Sequence, residues 1–345
     1  MKITELKVPG YERVLRGEDH AAGYRGFVFV HSTALGPAVG GTRYWSYPND
    51  DAAITDGLRL SRGMTYKNAL AELPCGGGKS IIIRQLGQEN REALFRAHGR
   101  LVEALAGMYV TAEDVGTSPS DMEFVLLETS HVAGLQGRSG DPSPHTARGV
   151  FRAMQAAAKH RWGSNDLRGK KVALQGCGHV GYFLAAELAR AEARIVASDV
   201  DGSKLQTVVE EFGAREASPK AIYGVEAEIF SPCALGGVLD DDTIPQLRAE
   251  MVVGGANNQL LEPRHGDMLE ERGILYTPDY AANAGGVING TCRELLGWDA
   301  QRTATKVDAI YDTILKIFLV AEQKGLATYA AADRLVEERL ATHVH

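Results

Sequence analysis

The chain has 345 residues, more than a single hydrophobic core usually supports, so two domains are expected. An apolar fraction of 44% with 23% charged residues excludes an intrinsically disordered chain. The net charge of −7, with no Lys/Arg run in the sequence, argues against nucleic acid or an anionic membrane surface as a partner.

Cysteine usage and hydropathy bound the chemistry and the compartment. The four cysteines are widely spaced: Cys75, Cys177, Cys233 and Cys292. They form no Cys-x-x-Cys pair, so the sequence predicts no metal site and no disulfide framework. The N-terminal sequence lacks the apolar core of a signal peptide, and no stretch approaches the roughly 18 apolar residues of a membrane span. We therefore expect a reduced, cytoplasmic protein.

The first half of the chain predicts an α/β domain. Strand, helix and strand are expected in turn at 24–33, 51–70 and 79–83. The helix carries Lys67 near its end. Six positions at helical spacing predict a further helix over 90–107: Leu94, Phe95, His98, Leu101, Val102 and Leu105. Gly107 ends this helix, and a strand is predicted at 108–112, so strands and helices alternate.

A loop carrying Asp114 follows, and the pattern then changes. Ser120 and Glu123 form a capping-box pair, which predicts that another helix begins there. The segment 137–146 has the Gly, Pro and Ser density of an irregular connection, and the crossing between the domains is expected near it.

The second half predicts a parallel, doubly wound sheet. A helix over 147–162 opens it, and five strand-like segments follow at 170–176, 193–199, 227–233, 250–256 and 273–279. Near the end, six apolar positions form a helical stripe, closed by a glycine: Val307, Ile310, Tyr311, Ile314, Ile317, Phe318 and Gly325. That stripe is expected to pack in a core.

The first of these strands leads into a dinucleotide-binding pattern. Gly176, Gly178 and Gly181 stand in Gly-x-Gly-x-x-Gly register before a helical segment. The first glycine allows a tight turn, the second lets a pyrophosphate approach, and the third allows close helix packing. A second strand ends at Asp199, 23 residues after Gly176, whose carboxylate can accept hydrogen bonds from ribose hydroxyls. NAD is therefore favoured over NADP, with dual use and a turn that binds no dinucleotide as the alternatives.

A second glycine-rich stretch, LPCGGGKSIII at 73–83, resembles a phosphate-binding loop but does not match the pattern Gly-x-x-x-x-Gly-Lys-Ser/Thr followed by a helix. The loop needs glycine where Leu73 stands, and it leads into a helix, whereas the residues after Ser80 are β-branched. The other reading is a glycine-rich turn that presents Lys79, with Lys67 twelve residues earlier. Two ammonium groups in one cleft disfavour each other's charge, so one can act as a base. The alternative is a pair of solvated surface lysines.

Several long motifs, taken together and in order, identify a resemblance. The motifs are HSTALGPAVGGTRYW, MTYKNALAELPCGGGKS, TAEDVGT, GDPSPHTARGV, GCGHVG, SPCALGGVL, GGANNQL and DYAANAGGVING. They resemble the glutamate/leucine/phenylalanine/valine dehydrogenases, and the leucine branch most. The resemblance covers nearly the whole chain. It implies reversible, NAD-dependent oxidative deamination of an L-amino acid to a 2-oxo acid and ammonia.

The resemblance also implies roles for particular residues. Lys67 would pair with the substrate carboxylate, beside the backbone at Gly40 and Gly41. Lys79 would be the base that activates water for attack on the imine. Asp114 would move protons to and from the substrate nitrogen. Asn258 would help to position substrate or nicotinamide. For Asp114, a helix-entry carboxylate with no chemistry is the alternative.

The resemblance adds four residues to the cofactor contacts: Thr146, Cys233, Ala234 and Asn283. The glycine loop and the acid contribute the others: Gly176, Gly178, His179, Val180, Gly181 and Asp199. Of these, His179 counts only as a member of the glycine loop. Like His131 and His145, it lies neither at metal-ligand spacing nor at a matched catalytic position.

Two departures from the family bear on the side-chain pocket. Typical leucine enzymes carry a larger aliphatic residue where this chain has Gly290, and leucine where it has Val39. Both changes enlarge the space for a substrate side chain. Because each methylene shifts discrimination by only ~1 to 3 kcal/mol, phenylalanine or tryptophan is favoured as substrate, with leucine or valine as the alternative.

Domain bounds and assembly complete the expectations. The resemblance implies a substrate-binding domain at 1–135 with the C-terminal helix at 328–345, and an NAD-binding domain at 136–327, with substrate in the cleft between them. Because the sequence ends where leucine dehydrogenases continue, a homodimer is expected and an octamer is the alternative. A non-catalytic NAD-binding regulator remains a competing function. It predicts loss of Lys67, Lys79 or Asp114, and all three are present.

Overall fold

The computed structural model describes residues 1–85 and 90–343, which form two compact units. The first unit comprises Met1–Gly140, Gly290–Trp298 and the chain from Glu338, and the second comprises Asp141–Asn289 and Asp299–Glu337. The first crossing thus falls between Gly140 and Asp141. The domain bounds expected from the sequence stay a prediction, and their last two positions lie outside the described residues.

The first unit is built on a six-stranded mixed sheet. Its strands are β1 (Lys2–Glu5), β2 (Arg13–Asp19), β3 (Tyr24–Ser32), β4 (Ala38–Trp45), β5 (Gly76–Ile83) and β6 (Tyr109–Glu113), in the order β1-β2-β3-β5-β4-β6. β1, β2, β3 and β5 pair antiparallel, whereas β4 runs parallel to both β5 and β6. β4 therefore lies between the strands that carry Lys79 and lead to Asp114.

Helices cover both faces of this sheet. They are α1 (Asp50–Leu70), α2 (Arg91–Glu103) and α3 (Pro119–Leu126), with a 3-10 turn at His20–Ala22 and a π-helical turn at Thr291–Leu295. The Asn49 side chain caps α1 by accepting from the Ala52 backbone N–H, and Asn90 caps α2 in the same way. One core cluster contains apolar residues of α2 and α3, and another contains Ala53 of α1 with Phe27 and Phe29. Five of the six predicted helix positions lie in α2 and are buried, but the helix ends at Glu103, before the predicted end at Gly107, and Leu105 is buried just after it.

The predicted glycine-rich turn before Lys79 is wrong. Gly76, Gly77 and Gly78 are the first three residues of β5, an eight-residue strand that is buried throughout. A Cβ on Gly77 would lie 1.9 Å from the Thr65 backbone nitrogen, and one on Gly78 would lie 2.6 Å from the Tyr109 ring. These glycines are therefore needed for close packing of β5 against its neighbours, and they hold Lys79 on a rigid element.

The predicted capping box at Ser120 and Glu123 is also wrong, by two residues. Ser118 is the N-cap of α3, and its partner is Asp121, whose carboxylate accepts from both the backbone N–H and the hydroxyl of Ser118 at 2.8 Å. Pro119 stands between them at the first helical position, where its fixed φ favours a helix start. The proline is the signal that decides between the two serines.

The second unit has a six-stranded parallel sheet. Its strands are β7 (Lys171–Gln175), β8 (Arg194–Ser198), β9 (Arg215–Glu216), β10 (Ala227–Pro232), β11 (Ala249–Val252) and β12 (Leu275–Tyr276), in the order β12-β11-β10-β7-β8-β9. This is the strand order of a doubly wound dinucleotide-binding sheet. Successive strands are added on one side of β7 up to β9 and on its other side from β10 onward. The predicted Rossmann-type class is confirmed, and β9 is an additional edge strand.

The helices of the second unit flank this sheet. They are α4 (Ser143–Trp162), α5 (His179–Arg190), α6 (Gly202–Phe212), α7 (Arg264–Glu271), α8 (Asp279–Ala282), α10 (Ala300–Asp308) and α11 (Ile310–Lys324). Helices α9 (Gly285–Gly290) and α12 (Thr328–Ala341) continue past the limits of the unit. The apolar stripe predicted near the end spans two helices that break at Ala309, and Gly325 ends the second at φ 62°. Within the described residues, no helix is long and apolar enough to cross a membrane.

Candidate active site

An ion pair between Lys79 and Asp114 lies at the centre of the candidate site. Lys79 Nζ is 2.7 Å from Asp114 Oδ2, and the lysine side chain is 7% exposed, whereas that of Asp114 is 24% exposed. Lys79 comes from β5, and Asp114 directly follows β6. The structure thus brings together two predicted residues, and their catalytic roles stay predictions.

The loop after β6 holds Asp114 in place. The Asp114 backbone N–H donates to Thr117 Oγ1 at 2.8 Å, and the Thr117 hydroxyl lies 3.1 Å from the Thr42 carbonyl oxygen. A Cβ on Gly41 would lie 2.8 Å from Asp114 Cβ and 2.5 Å from the Glu113 carbonyl oxygen. Only glycine at position 41 lets the carboxylate come this close to β4.

A second cation, Arg43, contacts Asp114 and was not found from the sequence. Its Nε donates to Asp114 Oδ2 at 3.2 Å. Burial acts to raise the pKa of Asp114, but the charges of Lys79 and Arg43, with hydrogen bonds from Lys79 and the Val115 backbone, lower it to about 2. The alternation of strand residues was the available signal, because Arg43 shares a face of β4 with Gly41.

The backbone at Gly40 is held in place by Tyr109 of β6 and Gly78 of β5. The Tyr109 hydroxyl donates to the Gly40 carbonyl oxygen at 2.5 Å, and a Cβ on Gly40 would lie 1.8 Å from the Gly78 carbonyl oxygen. Both predicted backbone positions, Gly40 and Gly41, are therefore closely packed and oriented. Such a backbone presents its polar groups without reorganisation on binding.

Lys67 lies on α1, four residues before the C-cap, and is half-buried. The next residue, Asn68, connects α1 to β5, since its Nδ2 donates to the Gly76 carbonyl oxygen at 2.6 Å. A Cβ on Gly77 would meet Thr65 of the same helix. The two predicted lysines therefore stand on elements that are packed tightly together.

The two positions of the predicted side-chain pocket differ in the space around them. Val39 is buried in β4, in register with Gly77 on one side and Val110 on the other. A Cβ on Gly290 would meet nothing within 4 Å, so the space beside it is open. This openness fits a bulky substrate side chain, although the preference itself stays a prediction.

The glycine loop of the second unit has the geometry that a dinucleotide needs. Gly176 has φ 99°, and a Cβ on Gly181 would lie 2.0 Å from the Gly176 carbonyl oxygen, so both are required by the backbone. Gly178 is different, because its φ is −66° and a Cβ there would meet nothing within 4 Å. Gly178 is the N-cap of α5, which no side chain of the described residues caps. An open glycine at an uncapped helix start fits a bound pyrophosphate.

Asp199 lies beside this loop. Its Oδ2 accepts from the Cys177 backbone N–H at 2.6 Å, and its Oδ1 accepts from the Asp201 backbone N–H at 2.8 Å. The next residue along the chain, Val200, has a side chain that is 90% exposed. A carboxylate at the end of β8, followed by an exposed apolar side chain, fits an adenosine group.

Three more predicted residues lie in this unit: Cys233 and Ala234 directly follow β10, and Asn283 is the C-cap of α8. Ala234 packs on Gly176, because a Cβ added to Gly176 would lie 2.8 Å from the Ala234 backbone nitrogen. Cys233 Sγ accepts a hydrogen bond from the Gly255 backbone N–H at 3.4 Å. Asn283 Nδ2 donates to Asn257 Oδ1 at 2.8 Å, while Asn283 Oδ1 is buried and without a hydrogen-bond partner among the described residues. This acceptor is suited to an amide N–H of a ligand.

Asn258 has φ 53°, a left-handed backbone conformation. Its backbone N–H donates to Asp279 Oδ2 at 2.5 Å, and the Tyr276 hydroxyl donates to the other oxygen at 3.2 Å. Asp279 is 8% exposed and was missed from the sequence, since its contact depends on two loops that are distant in the chain. It fixes the orientation of Asn258.

The remaining predicted cofactor contacts lie at helix starts. Thr146 Oγ1 donates to the Pro142 carbonyl oxygen at 3.1 Å in the first turn of α4. Val180 packs beside Gly255, whose Cβ would lie 2.8 Å from Val180 Cγ1. The His179 side chain is 83% exposed, 3.8 Å from Asp141. No cluster of three metal-ligating side chains occurs in the described ranges 1–85 and 90–343.

The parallel sheet with its glycine loop is typical of a dinucleotide-binding unit, and together with the lysine–aspartate pair of the other unit it indicates a dinucleotide-dependent oxidoreductase. A family model for the Glu/Leu/Phe/Val dehydrogenase dimerisation domain matches residues 12–131, and one for the Glutamate/Leucine/Phenylalanine/Valine dehydrogenase family matches residues 137–213 and 198–342. The chain belongs to this family, as the motifs indicated.

Individual relatives match the sequence of this chain along nearly its full length. The chain is 50% identical over 335 residues to the leucine dehydrogenase of Geobacillus stearothermophilus, covering 96% of this chain and 91% of that one. It is 45% identical over 338 residues to the valine dehydrogenase of Streptomyces albus, covering 96% and 93%. The crystal structure of L-tryptophan dehydrogenase from Nostoc punctiforme superposes with a TM-score of 0.87 at 43% identity, covering 97% of each chain. These matches confirm the fold class and the amino acid dehydrogenase class.

Proposed function

We propose that the protein catalyses the reversible oxidative deamination of a hydrophobic L-amino acid with NAD. Amino acid, NAD⁺ and water give a 2-oxo acid, ammonia, NADH and a proton. The observation that carries the proposal is the buried 2.7 Å contact between Lys79 and Asp114, in a chain whose other unit has an open glycine loop at a helix start. Relatives named leucine, valine and tryptophan dehydrogenases support a hydrophobic substrate.

The side chains of the first unit would divide the work. Lys67 would bind the substrate carboxylate beside the backbone at Gly40 and Gly41. NAD, when bound, supplies the acceptor for the hydride that leaves the substrate Cα. The ionised Asp114 carboxylate would then stabilise positive charge on the substrate nitrogen and accept or return its proton. Lys79, once it has lost its own proton, would take a proton from the water that attacks Cα. Collapse of that adduct releases ammonia and the 2-oxo acid.

The second unit would hold NAD. The pyrophosphate would lie at the open Gly178, the adenosine ribose at Asp199, and the nicotinamide amide near Asn283 Oδ1. The Asp199 carboxylate would repel a 2′-phosphate, which supports NAD over NADP. An Asp199→Ser variant tests this assignment. It should lose affinity for NAD⁺ and gain turnover with NADP⁺, and an unchanged cofactor ratio would contradict it.

For the substrate side chain we favour phenylalanine or tryptophan. The support is the open space at Gly290, together with the smaller Val39. Leucine and valine stay as alternatives, because a leucine dehydrogenase is 50% identical to this chain, whereas an L-tryptophan dehydrogenase and a valine dehydrogenase are each 45% identical. A panel assay decides between them, and faster turnover of valine than of any aromatic amino acid would overturn the preference.

The decisive experiment follows NADH absorbance after single L-amino acids are added to the purified chain with NAD⁺. We expect turnover that is lost in Lys79→Ala and kept in Lys7→Ala, since the Lys7 side chain is 86% exposed. Turnover that survives Lys79→Ala would overturn the mechanism. Failure of every amino acid, with NADH binding retained, would support the non-catalytic regulator instead.

We also propose a homo-oligomer. The dimerisation-domain model matches residues 12–131 of the first unit, which supports association through this region. A dimer is expected and an octamer is the alternative. The mass from multi-angle light scattering distinguishes these states, and a monomer would refute both.

A further inference from the structure

Arg43 and Lys79 contact the same oxygen atom. Arg43 Nε lies 3.2 Å from Asp114 Oδ2, and Lys79 Nζ lies 2.7 Å from it. Arg43 is on β4 and Lys79 is on the neighbouring β5, and the Arg43 side chain is only 22% exposed. Two cations therefore share one carboxylate oxygen at the centre of the candidate site.

The other end of the Arg43 guanidinium is anchored on α1. Arg43 Nη1 donates to Asp56 Oδ2 at 2.9 Å, and the Tyr47 hydroxyl donates to the same oxygen at 2.6 Å. The Asp56 side chain is 17% exposed. Because a guanidinium is planar, contacts at both Nε and Nη1 fix its orientation as well as its position. Arg43 is thus held independently of Lys79.

The two cations differ in what they can do chemically. A lysine ammonium can release its proton, whereas a guanidinium remains charged at any pH that a protein tolerates. In the proposed reaction Lys79 must be uncharged before it can accept a proton from water. At that moment Asp114 would lose the charge of its nearest partner. A buried carboxylate without a cation is costly and tends to take up a proton itself.

We propose that Arg43 is a positioning residue that serves as the permanent counter-cation of Asp114, keeping the carboxylate ionised and in place whenever Lys79 is uncharged. This inference rests on the proposed deamination and adds a residue to it. Arg43 also competes with Lys79 for Oδ2, so it favours release of the lysine proton through repulsion between like charges.

Other charged and titratable groups around Asp114 bear on this proposal. Lys79 faces it from β5, Arg43 from β4 and Tyr109 from β6. Asp56 on α1 and Tyr47 after β4 lie one contact further out, through Arg43. Tyr109 is neutral at physiological pH, since burial raises its pKa. Arg43 is therefore the permanent cation among these groups.

The test compares three variants by the pH dependence of kcat/KM for oxidative deamination. In Arg43→Met, Lys79 has less competition for Oδ2, so its ammonium form is favoured. We expect the rise of kcat/KM with pH to move upward by about one pH unit. We also expect kcat to fall about tenfold or more with little change in KM. Arg43→Lys keeps the charge but loses one of the two anchored contacts, and should recover part of both effects.

The control is Arg59→Met. Arg59 Nη2 contacts the other oxygen of Asp56 at 3.4 Å, and its side chain is 64% exposed. This variant removes an arginine from the same carboxylate without touching Asp114, and we expect a wild-type pH profile. Asp56→Asn should shift the pH profile of kcat/KM in the same direction as Arg43→Met but by less, because it weakens only the contact of Arg43 with α1 and leaves the guanidinium beside Asp114.

A pH profile of Arg43→Met that coincides with wild type would overturn the proposal, and so would equal shifts in Arg43→Met and Arg59→Met. Far-UV circular dichroism and a cooperative urea unfolding curve check that each variant is folded. If Arg43→Met does not fold, Arg43→Lys and Asp56→Asn carry the test, and wild-type profiles in both would overturn the proposal. Failure of the proposed function differs from these results, because wild type itself would then show no amino-acid-dependent turnover.

Discussion

The two faces of β4, β5 and β6 have opposite chemistry, although their residues alternate along the same three strands. On one face Thr42, Ser80 and Thr111 are fully buried, and they join His98 in a network of hydroxyl and imidazole groups. On the other face, Lys79 and Arg43 meet Asp114. The neutral face is satisfied internally, whereas the charged face is partly exposed. The neutral network and the candidate catalytic groups are thus separated by one residue in sequence.

The neutral network reaches the Gly40 backbone through Tyr109, whose hydroxyl lies 3.1 Å from Ser80 Oγ. The Tyr24 hydroxyl lies 2.9 Å from His98 Nδ1, and His98 Nε2 lies 3.0 Å from Thr42 Oγ1. At the far end the Tyr109 hydroxyl donates to the Gly40 carbonyl oxygen. Burial lowers the pKa of His98 to about 3, so the ring is neutral at physiological pH. We therefore expect changes on the neutral face to affect stability first and catalysis second.

The largest effect is expected from Asp114→Asn, which removes a negative charge from the charged face. The amide keeps the shape but cannot accept the substrate proton or balance two cations. We expect activity to fall about 10²- to 10³-fold, measured as amino-acid-dependent NADH formation. Asp51→Asn, at an exposed position in the first turn of α1, is the control and should retain activity. Near-normal activity in Asp114→Asn would show that the charged face is not the reactive one.

His98→Ala should have the opposite profile. It leaves Tyr24, Thr42 and Ser80 without their shared partner and opens a cavity, which should lower the free energy of unfolding by about 2 to 4 kcal/mol. The kcat of the folded fraction should stay within about tenfold of wild type, since no charged group is removed. Urea unfolding with parallel kinetics measures both quantities. A loss of kcat as large as that of Asp114→Asn at unchanged stability would erase the distinction between the faces.

The two faces contribute to the free energy of unfolding over different pH ranges. His98 has a folded-state pKa of about 3 against an ordinary value of 6.5, so the unfolded chain binds its proton first. Stability is therefore full above about pH 6.5 and falls toward pH 3, by up to about 1.4 kcal/mol per pH unit. Asp114, lowered from 3.8 to about 2, contributes stability above about pH 4 that is lost only as the pH falls through 2. The free energy of unfolding, measured with urea between pH 7 and about 4.5, should fall less steeply with decreasing pH in His98→Asn than in wild type. In Asp114→Asn this dependence on pH should be unchanged.

The smallest effect concerns the link between the faces. Tyr109→Phe removes the hydrogen bond to the Gly40 carbonyl oxygen and should lower the free energy of unfolding by about 1 kcal/mol. It should also raise KM for the amino acid, because the predicted carboxylate-binding backbone is less fixed. Tyr24→Phe is the matched control at the other end of the network, with a similar cost in stability and an unchanged KM. Equal KM values in the two variants would remove the proposed link.

The sequence predicted those features whose signal is local. The glycine loop at Gly176 was recognisable because strand, glycines, helix and acid follow within one short stretch. Lys79 and Asp114 came from motifs, and the burial of His98 from helical spacing. Arg43 and Asp56 were missed because their contacts depend on the register of two strands and on where α1 packs. The hydroxyl partners of His98 lie on three different strands, which periodicity in α2 cannot identify.

Packing also determines where this enzyme can be redesigned. Around Lys79 the backbone has no spare volume, because an added Cβ at Gly77 or Gly78 would meet atoms closer than 3 Å. Gly290 is the opposite case, since its φ of −57° suits any residue and a Cβ there meets nothing within 4 Å. A mutant library aimed at new substrates should therefore leave the lysine strand fixed and place its diversity at Gly290. Graded side-chain volume at this position tests the predicted place of Gly290 in the side-chain pocket while Lys79 and Asp114 stay unchanged.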